Sequence, residues 1–328
     1  MKLIPLASTG RKTTQLGFGC AFPTSMTKHD ALRLMDAAFD AGIRHFDVAP
    51  YYTDGAAEGY VGDFLARHAG EVTVTTKFGL LPSSLRPLHI RVARALLGPA
   101  VRALRRRVPG VPKSSAGVSA KAAFTAEEAR RSLENSLRLL RVDSIDAFLM
   151  HEATVADLAD ERLLQFLKDS VAGKRIGVFG IGGESSRAKD LYQQRHPYCD
   201  VMQFDWSILS PPEMDFPGSF RIHFWTFSQH LKALHAGLVE RADLRLRWGQ
   251  MNLDINDIQN LAALMLKAAL MQHPNSGVLF SSTKPENIVR NVRTAEDAAL
   301  EGDALRLREL MSFERQRQNR PDVRADLI

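Results

Sequence analysis

Three predicted strands in this sequence each end in or beside an ionisable side chain, and they are residues 43–48, 72–77 and 145–151. The ionisable residues are Asp47, Lys77 and His151, and Tyr52 lies in the loop that follows Asp47. In a parallel barrel the carboxyl ends of the strands form one face, which carries the active site. The spacing therefore predicts that these four side chains meet in one site.

Such a set has the parts of a proton-transfer site. The pKa of tyrosine is near 10, so a tyrosine that exchanges protons near neutral pH needs a phenol about three units more acidic. An ammonium about 4 Å away favours the phenolate by up to about 4 kcal/mol at an effective dielectric constant near 20. Lys77 is the predicted cation, Asp47 keeps it protonated, and His151 binds the substrate oxygen. Each residue alone is more often structural, and the ordered set carries the hypothesis.

The motifs around these residues resemble those of the aldo-keto reductase family. They are Phe46-Asp47-Val48-Ala49-Pro50-Tyr51-Tyr52, Thr76-Lys77-Phe78-Gly79 and Leu149-Met150-His151. The resemblance covers most of the chain. It implies a (β/α)8 TIM barrel that reduces an aldehyde or ketone, including a sugar, or oxidises the alcohol, with NADP(H) as cofactor and Tyr52 as proton donor.

A segment near the end of the chain is similar to the family's cofactor signature. Hydroxyls and a lysine precede a predicted helix N-terminus, which favours phosphate binding. The cofactor-binding residues that the resemblance implies are Gln203, Phe227, Ser228, Ser281, Ser282, Thr283, Lys284, Asn287, Arg290 and Asn291. Asn287 stands where many NADP-preferring members carry arginine, so NAD stays open as the cofactor, with Lys284 or Arg290 as replacements for the arginine.

One motif departs from the family. After the fifth strand the family shows Ser-Asn, which holds the nicotinamide carboxamide, whereas this chain has Gly182-Gly183. Two readings stay open: backbone amides substitute, or the nicotinamide is held more weakly. The second reading suits a cofactor-sensing binding protein with little turnover. The run Gly180-x-Gly182 followed by Ser185 also imitates a Rossmann fingerprint, but four β-α units precede it, which argues against a doubly wound fold.

Composition and length favour one cytoplasmic domain over residues 1–328. The chain has 328 residues, 45% of them hydrophobic, and two cysteines, which suits a reducing compartment. No signal peptide, membrane span or metal site is predicted. We expect a small carbonyl or alcohol as substrate, no nucleic-acid or membrane partner, and a monomer or weak homo-oligomer.

The net charge of +6 is concentrated in one segment. Residues 79–126 hold nine Lys and Arg and no Asp or Glu, so the rest of the chain is net negative. The segment corresponds to a long basic insertion at about residues 79–124, with a predicted helix at 91–107. It is either a solvated helix with a Pro/Gly/Ser-rich tail or a lid that attracts an anionic substrate or a partner.

Alternating strand and helix patterns run through the rest of the chain. Eight strands are predicted to begin at residues 16, 43, 72, 145, 176, 200, 221 and 277. The predicted helices are residues 28–41, 56–68, 125–140, 155–171, 185–194, 256–271, 285–292 and 301–312. An N-terminal β-hairpin at residues 1–15 and a charged C-terminal tail at 314–328 complete the predicted architecture.

Overall fold

The computed structural model describes residues 1–82, 120–210, 216–227, 230–249, 254 and 256–318. Within them, eight parallel strands close into a barrel. The strands are β1 (Leu16–Gly19), β2 (His45–Asp47), β3 (Thr73–Phe78), β4 (Ile145–His151), β5 (Ile176–Gly183), β6 (Val201–Asp205), β7 (Phe220–Phe224) and β8 (Gly277–Phe280). The predicted (β/α)8 barrel is confirmed. The Rossmann alternative is wrong, because Gly182 and Gly183 pair with β6 inside the barrel wall.

Helices alternate with the strands outside the barrel. They are α1 (Lys28–Asp40), α2 (Ala57–Leu65), α3 (Ala126–Leu140), α4 (Glu161–Ala172), α5 (Ser185–Gln194), α6 (Leu231–Glu240), α7 (Ala242–Trp248), α8 (Ile258–Gln272), α9 (Pro285–Glu296) and α10 (Glu301–Gln318). The Thr27 side chain accepts a hydrogen bond from the backbone N–H of Asp30, as expected of an N-cap. Helix α4 begins at Glu161 rather than at residue 155, and α6 and α7 were not predicted.

The predicted N-terminal hairpin is also present. Its strands, Leu3–Pro5 and Lys12–Thr14, pair antiparallel. From the turn side, the Arg11 guanidinium donates to Asp146 at 2.6 Å and to the Val72 carbonyl at 2.9 Å. These partners lie at the starts of β3 and β4, so the hairpin covers the amino-terminal end of the barrel and the opposite end stays available for a site.

Side chains inside the barrel come from alternate residues of each strand. A buried apolar cluster fills its middle and consists of Ala147, Leu149, Val178, Val201, Ile222 and Leu279. Because strand side chains alternate between faces, the next inward residue towards the carboxyl end of β4 is His151. The same period places Asp47, Lys77 and Gln203 on the inner face, Asp47 and Lys77 at or next to the carboxyl end of their strands and Gln203 in the middle of β6.

The basic insertion begins and ends on a short ribbon. Leu80–Leu81 pairs antiparallel with Ala120–Lys121, and the Ala122 N–H donates to the Gly79 carbonyl at 2.8 Å. Residues 83–119, including the helix predicted at 91–107 and the proposed lid, lie outside the described residues. The ribbon starts directly after β3, so strand pairing holds both ends of the insertion next to the carboxyl end of β3, which carries Lys77.

The C-terminal helix is longer than predicted. Helix α10 continues to Gln318, so the charged tail predicted from residue 314 is wrong for its first part. Glu314 is buried and accepts a hydrogen bond from Arg241 at 2.6 Å. The tertiary ion pair explains why a charged residue belongs to the packed helix. Residues 319–328 lie outside the described part of the chain.

None of the helices that the structure describes has the length and apolar character that a membrane crossing requires.

Candidate active site

A buried ion pair lies at the carboxyl ends of β2 and β3. Lys77 Nζ donates to Asp47 Oδ1 at 2.6 Å and to the Val48 carbonyl at 3.1 Å. The exposed fractions of Asp47 and Lys77 are 3% and 2%. In the strand register Asp47 lies opposite Thr75, so the ion pair joins two inward residues on neighbouring strands. A pair this buried is stable only when both charges are paired and hydrogen-bonded.

Gln203 binds the same Asp47 carboxylate from the opposite side of the barrel. Its Nε2 donates to Asp47 Oδ2 at 2.8 Å. Strand β6 is four strands from β2 around the barrel, so this hydrogen bond crosses the interior. Both oxygens of Asp47 therefore have a donor. The sequence predicted Gln203 only as a cofactor ligand, because nothing in the linear spacing indicates contact with a residue 156 positions away.

Tyr52 lies above the ion pair. It begins a short 3-10 turn, Tyr52–Gly55, and its ring centroid is 5.4 Å from Lys77 Nζ. The next two residues, Thr53 and Asp54, both have a φ of 53°, a left-handed conformation that residues other than glycine adopt rarely. The His151 ring lies 6.5 Å from the Tyr52 ring, centroid to centroid. The structure thus brings together all four residues of the predicted catalytic set.

Tyr51 is a further member of the site that sequence reasoning missed. Its ring centroid is 4.8 Å from that of Tyr52 and 5.3 Å from that of His151. Burial, followed by the charge of Glu152, raises the pKa of Tyr51 to about 12. Tyr51 therefore stays a neutral phenol beside the predicted proton donor. Its position next to Tyr52 in the chain was the only sequence signal for it.

The sequence predicted that the pKa of Tyr52 is lowered, and this prediction is wrong for the protein without a bound ligand. Burial, followed by the charge of Asp47, holds the pKa of Tyr52 well above its usual value. Lys77 does not offset these two effects, because its ammonium is neutralised by Asp47 at 2.6 Å and little net positive charge acts on the phenol. Tyr52 keeps its proton at neutral pH, which is the state a proton donor needs.

His151 provides a neutral imidazole at the same rim. Burial, and secondarily the charge of Lys77, lowers the pKa of His151 well below its usual value. Its Nδ1 is buried and has no hydrogen-bond partner among the described residues. A neutral imidazole donates one hydrogen bond and accepts one. His151 can therefore bind a substrate oxygen without adding charge to the site.

A second buried histidine, His45, lies two residues before Asp47 on β2, and its burial predicts how stability depends on pH. His45 Nδ1 is 3.0 Å from Thr73 Oγ1, and burial lowers the pKa of His45 to about 4. The unfolded chain takes up this proton near pH 6.5, so the contribution of His45 to stability is present above that pH and is lost as the pH falls towards 4. We expect it to cost roughly 3 kcal/mol of unfolding free energy at pH 4.

Urea unfolding between pH 7 and pH 4 checks this expectation, with His45→Gln as the matched variant. Glutamine keeps an amide that can bind Thr73 and also Thr75, whose hydroxyl lies 3.4 Å from His45 Nε2, but it cannot take up a proton. The variant should lose less stability than the wild type over this interval. Equal losses in both proteins would contradict the assignment to His45.

The space beside Gly182 suits an amide ligand. Gln203 Oε1 is buried and has no hydrogen-bond partner in the described part of the protein. It lies 3.2 Å from the position that a Cβ on Gly182 would occupy. An acceptor oxygen therefore faces space that a side chain at residue 182 would fill. This arrangement fits the carboxamide of a nicotinamide, which carries two N–H donors.

The segment predicted to bind the phosphates lies at the start of α9. Ser282 Oγ accepts from the Lys284 backbone N–H at 3.1 Å, and Lys284 is exposed. Arg290 donates to Gln259 at 2.6 Å and to Asn287 at 3.3 Å. Lys284 is therefore the better placed cation for an anionic ligand. Ser281 donates to the Gly19 carbonyl, which joins this segment to β1, and Thr283 and Asn291 lie in the same segment.

Two aromatic residues, Phe224 and Phe227, lie at or just beyond the end of β7. The strand ends at Phe224, which packs against the apolar cluster inside the barrel and is in register with Asp205. Phe227 lies in the turn before α6 and packs against two hydrophobic clusters. The sequence predicts this strand over residues 221–227, so its predicted end lies three residues beyond the observed one, and the cofactor contact of Phe227 stays a prediction. Ser228 lies outside the described residues.

A closed eight-stranded barrel with this polar set at the carboxyl ends of its strands defines the class of protein. The sequence model of the aldo/keto reductase family matches residues 15–213. This chain belongs to the aldo/keto reductase family.

Characterised relatives carry dehydrogenase names. A pyridoxal 4-dehydrogenase of Microbacterium luteolum is 25% identical over 323 residues, which cover 88% of this chain and 91% of that protein. A D-threo-aldose 1-dehydrogenase of a Pseudomonas species is 30% identical over 194 residues, which cover 56% of this chain and 54% of that protein.

Solved structures agree on the fold. The holo form of an aldo-keto reductase from Bacillus halodurans superposes with a TM-score of 0.64 at 20% identity, covering 94% of this chain and 96% of that one. An aldo-keto reductase of Klebsiella pneumoniae in complex with NADPH superposes with a TM-score of 0.60 at 17% identity, covering 94% of this chain and 95% of that one.

Proposed function

We propose that this protein is an NADP(H)-dependent oxidoreductase that interconverts an aldehyde or ketone and its alcohol. The observation that carries the proposal is the convergence of Asp47, Lys77, Tyr52 and His151 at one rim of the barrel. A module that only binds a ligand has no need of a protonated phenol beside a buried ion pair. The dehydrogenase names of the relatives and the NADPH complex of a structural neighbour support the same reaction class.

The protein's own residues have separate tasks in this reaction. The nicotinamide dinucleotide, when bound, supplies or accepts the hydride. In the reducing direction Tyr52 gives its proton to the carbonyl oxygen, and His151 donates a hydrogen bond to the same oxygen. As the phenolate forms, the Lys77 ammonium stabilises it, because negative charge then develops beside a cation that is otherwise balanced by Asp47.

The residues proposed to hold the dinucleotide lie on two sides of the rim. Gln203 Oε1 would accept from the carboxamide. The stacking ring would be either Phe227, which the sequence predicts, or Phe224, which lies on the inner face at the end of β7. Ser282, Lys284, Asn287 and Arg290 would meet the adenosine end. Lys284 favours the additional phosphate of NADP(H) over NAD(H), because it is an exposed cation at a helix N-terminus.

A panel assay tests the proposed activity. Oxidation of NADPH is followed with aldehydes, ketones and sugars, and reduction of NADP+ with the corresponding alcohols, including pyridoxal and D-threo-aldoses because relatives carry those names. We expect turnover with at least one carbonyl or alcohol. Tight NADPH binding without turnover across the panel would instead favour the second candidate, a cofactor-sensing protein, which the missing side chains at Gly182 and Gly183 suit.

A further inference from the structure

We propose that Asp47 has a second task as a positioning residue: it fixes the orientation of the Gln203 amide and thereby makes the site select a ligand with an N–H donor. The proposal rests on the proposed use of a nicotinamide dinucleotide and adds a role for Asp47 that is separate from pairing with Lys77. The two parts of the site, one for protons and one for the dinucleotide, are then linked through one hydrogen bond.

An ionised carboxylate only accepts hydrogen bonds, whereas a glutamine amide has a donating end and an accepting end. Asp47 Oδ1 is taken by the Lys77 ammonium at 2.6 Å, and Oδ2 lies 2.8 Å from the Gln203 amide. Because Oδ2 cannot donate, the Gln203 Nε2 must face it. The opposite amide orientation would place two acceptor oxygens in contact.

The contact with Asp47 also fixes where the other end of the Gln203 amide lies. With Nε2 directed at Asp47, Oε1 faces the space beside Gly182, and it has no partner in the described residues. Gln203 is only 4% exposed, so water replaces a missing partner poorly. A buried acceptor without a partner costs free energy, and a ligand that brings an N–H removes that cost.

The charge of Asp47 also makes Gln203 Oε1 a stronger acceptor. Hydrogen bonds in a chain polarise one another, and a donor bound to a carboxylate makes the amide oxygen a better acceptor. The Lys77–Asp47–Gln203 chain ends at Oε1 beside Gly182. The end of the chain is therefore an acceptor, which a carboxamide satisfies with its N–H and an acetyl group does not.

Replacing Asp47 by asparagine reverses the orientation without a large change in shape. The Lys77 ammonium requires an acceptor and takes the Asn oxygen, so the Asn amide N–H faces Gln203. Two donors would then oppose each other, and the Gln203 amide must turn to present its oxygen to the new residue. The end beside Gly182 becomes a donor, which the carbonyl oxygen of a carboxamide or of an acetyl group accepts equally well.

The test compares NADP+ with its 3-acetylpyridine analogue, in which a methyl group replaces the amide nitrogen. Dissociation constants are measured by tryptophan fluorescence quenching, a readout that does not depend on turnover. We expect the wild type to prefer NADP+ by about fivefold, the effect of one buried hydrogen bond. Asp47→Asn should bring the ratio of the two constants close to one.

Two further variants make the result decisive. Tyr52→Phe is the matched control, because it leaves the Asp47–Gln203 hydrogen bond in place and should keep the wild-type ratio. Gln203→Leu removes the acceptor directly, keeps the ion pair, and should give a ratio near one. If circular dichroism shows that Asp47→Asn does not fold, Gln203→Leu carries the test.

The outcomes separate this proposal from the proposed function. An unchanged ratio in Asp47→Asn, with or without an equal weakening of both dinucleotides, overturns the positioning role. So does a Gln203→Leu variant that keeps the preference for NADP+. A wild type that binds both dinucleotides equally overturns the positioning role alone. A wild type that binds neither overturns the proposed use of the dinucleotide itself.

Discussion

Replacing Tyr52 by phenylalanine is expected to lower kcat for carbonyl reduction by about a thousandfold, in the range that general acid catalysis contributes. The change removes one oxygen and leaves the aromatic ring, so the packing around Lys77 and His151 is retained. Burial and the charge of Asp47 hold the Tyr52 phenol in its protonated state, so the substitution removes the proton that the reaction uses.

The measurement is NADPH oxidation with a substrate found in the panel assay. Affinity for NADPH should stay within about twofold, since the loss lies in proton transfer. Tyr51→Phe is a matched control, because it removes the neighbouring phenol, 4.8 Å away between ring centroids, and should reduce kcat far less. If Tyr52→Phe retained most of the activity while Tyr51→Phe lost it, the proton donor would be Tyr51.

Replacing Lys77 by methionine is expected to lower stability by about 3–5 kcal/mol and kcat by at least a hundredfold. The stability loss follows from burial, because Asp47 is 3% exposed and would be left as a carboxylate without its cation. The activity loss follows from the developing phenolate on Tyr52, which would form beside a negative charge alone. Urea unfolding and initial rates check the two effects separately.

The double variant Lys77→Met with Asp47→Asn distinguishes the two effects. Neutral side chains at both positions remove the buried charge, so most of the lost unfolding free energy should return. The kcat should stay low, because no cation faces the phenol. Recovery of activity together with stability would show that Lys77 acts on the fold and has no part in catalysis.

The strands and the residues at their ends could be predicted because they depend on residues that are near one another in the sequence. Short apolar strands separated by amphipathic helices can be recognised from side-chain periodicity, and eight such strand-helix units are the number that closes a barrel. The ends of those runs, at Asp47, Lys77 and His151, follow from the same pattern. The hairpin was readable from its turn residues.

Element boundaries were less accessible, because tertiary packing decides where a strand or helix stops. The end of β7 at Phe224 depends on its pairing with β6, and the continuation of α10 through Glu314 depends on an ion pair with Arg241. Both partners are distant in the chain. From the periodicity of hydrophobic residues alone, the predicted strand extended to Phe227 and the predicted C-terminal helix ended at residue 312.

The sequence by itself determined the fold class, the family resemblance and the four candidate catalytic residues, since these depend on residue types at set spacings. Only the tertiary structure decided how the charges act. It paired Lys77 with Asp47 so closely that Tyr52 keeps its proton, and it placed Gln203 across the barrel on the same carboxylate. The physical reason is that electrostatic and hydrogen-bond energies depend on burial and on distances of a few ångströms, which linear spacing does not specify.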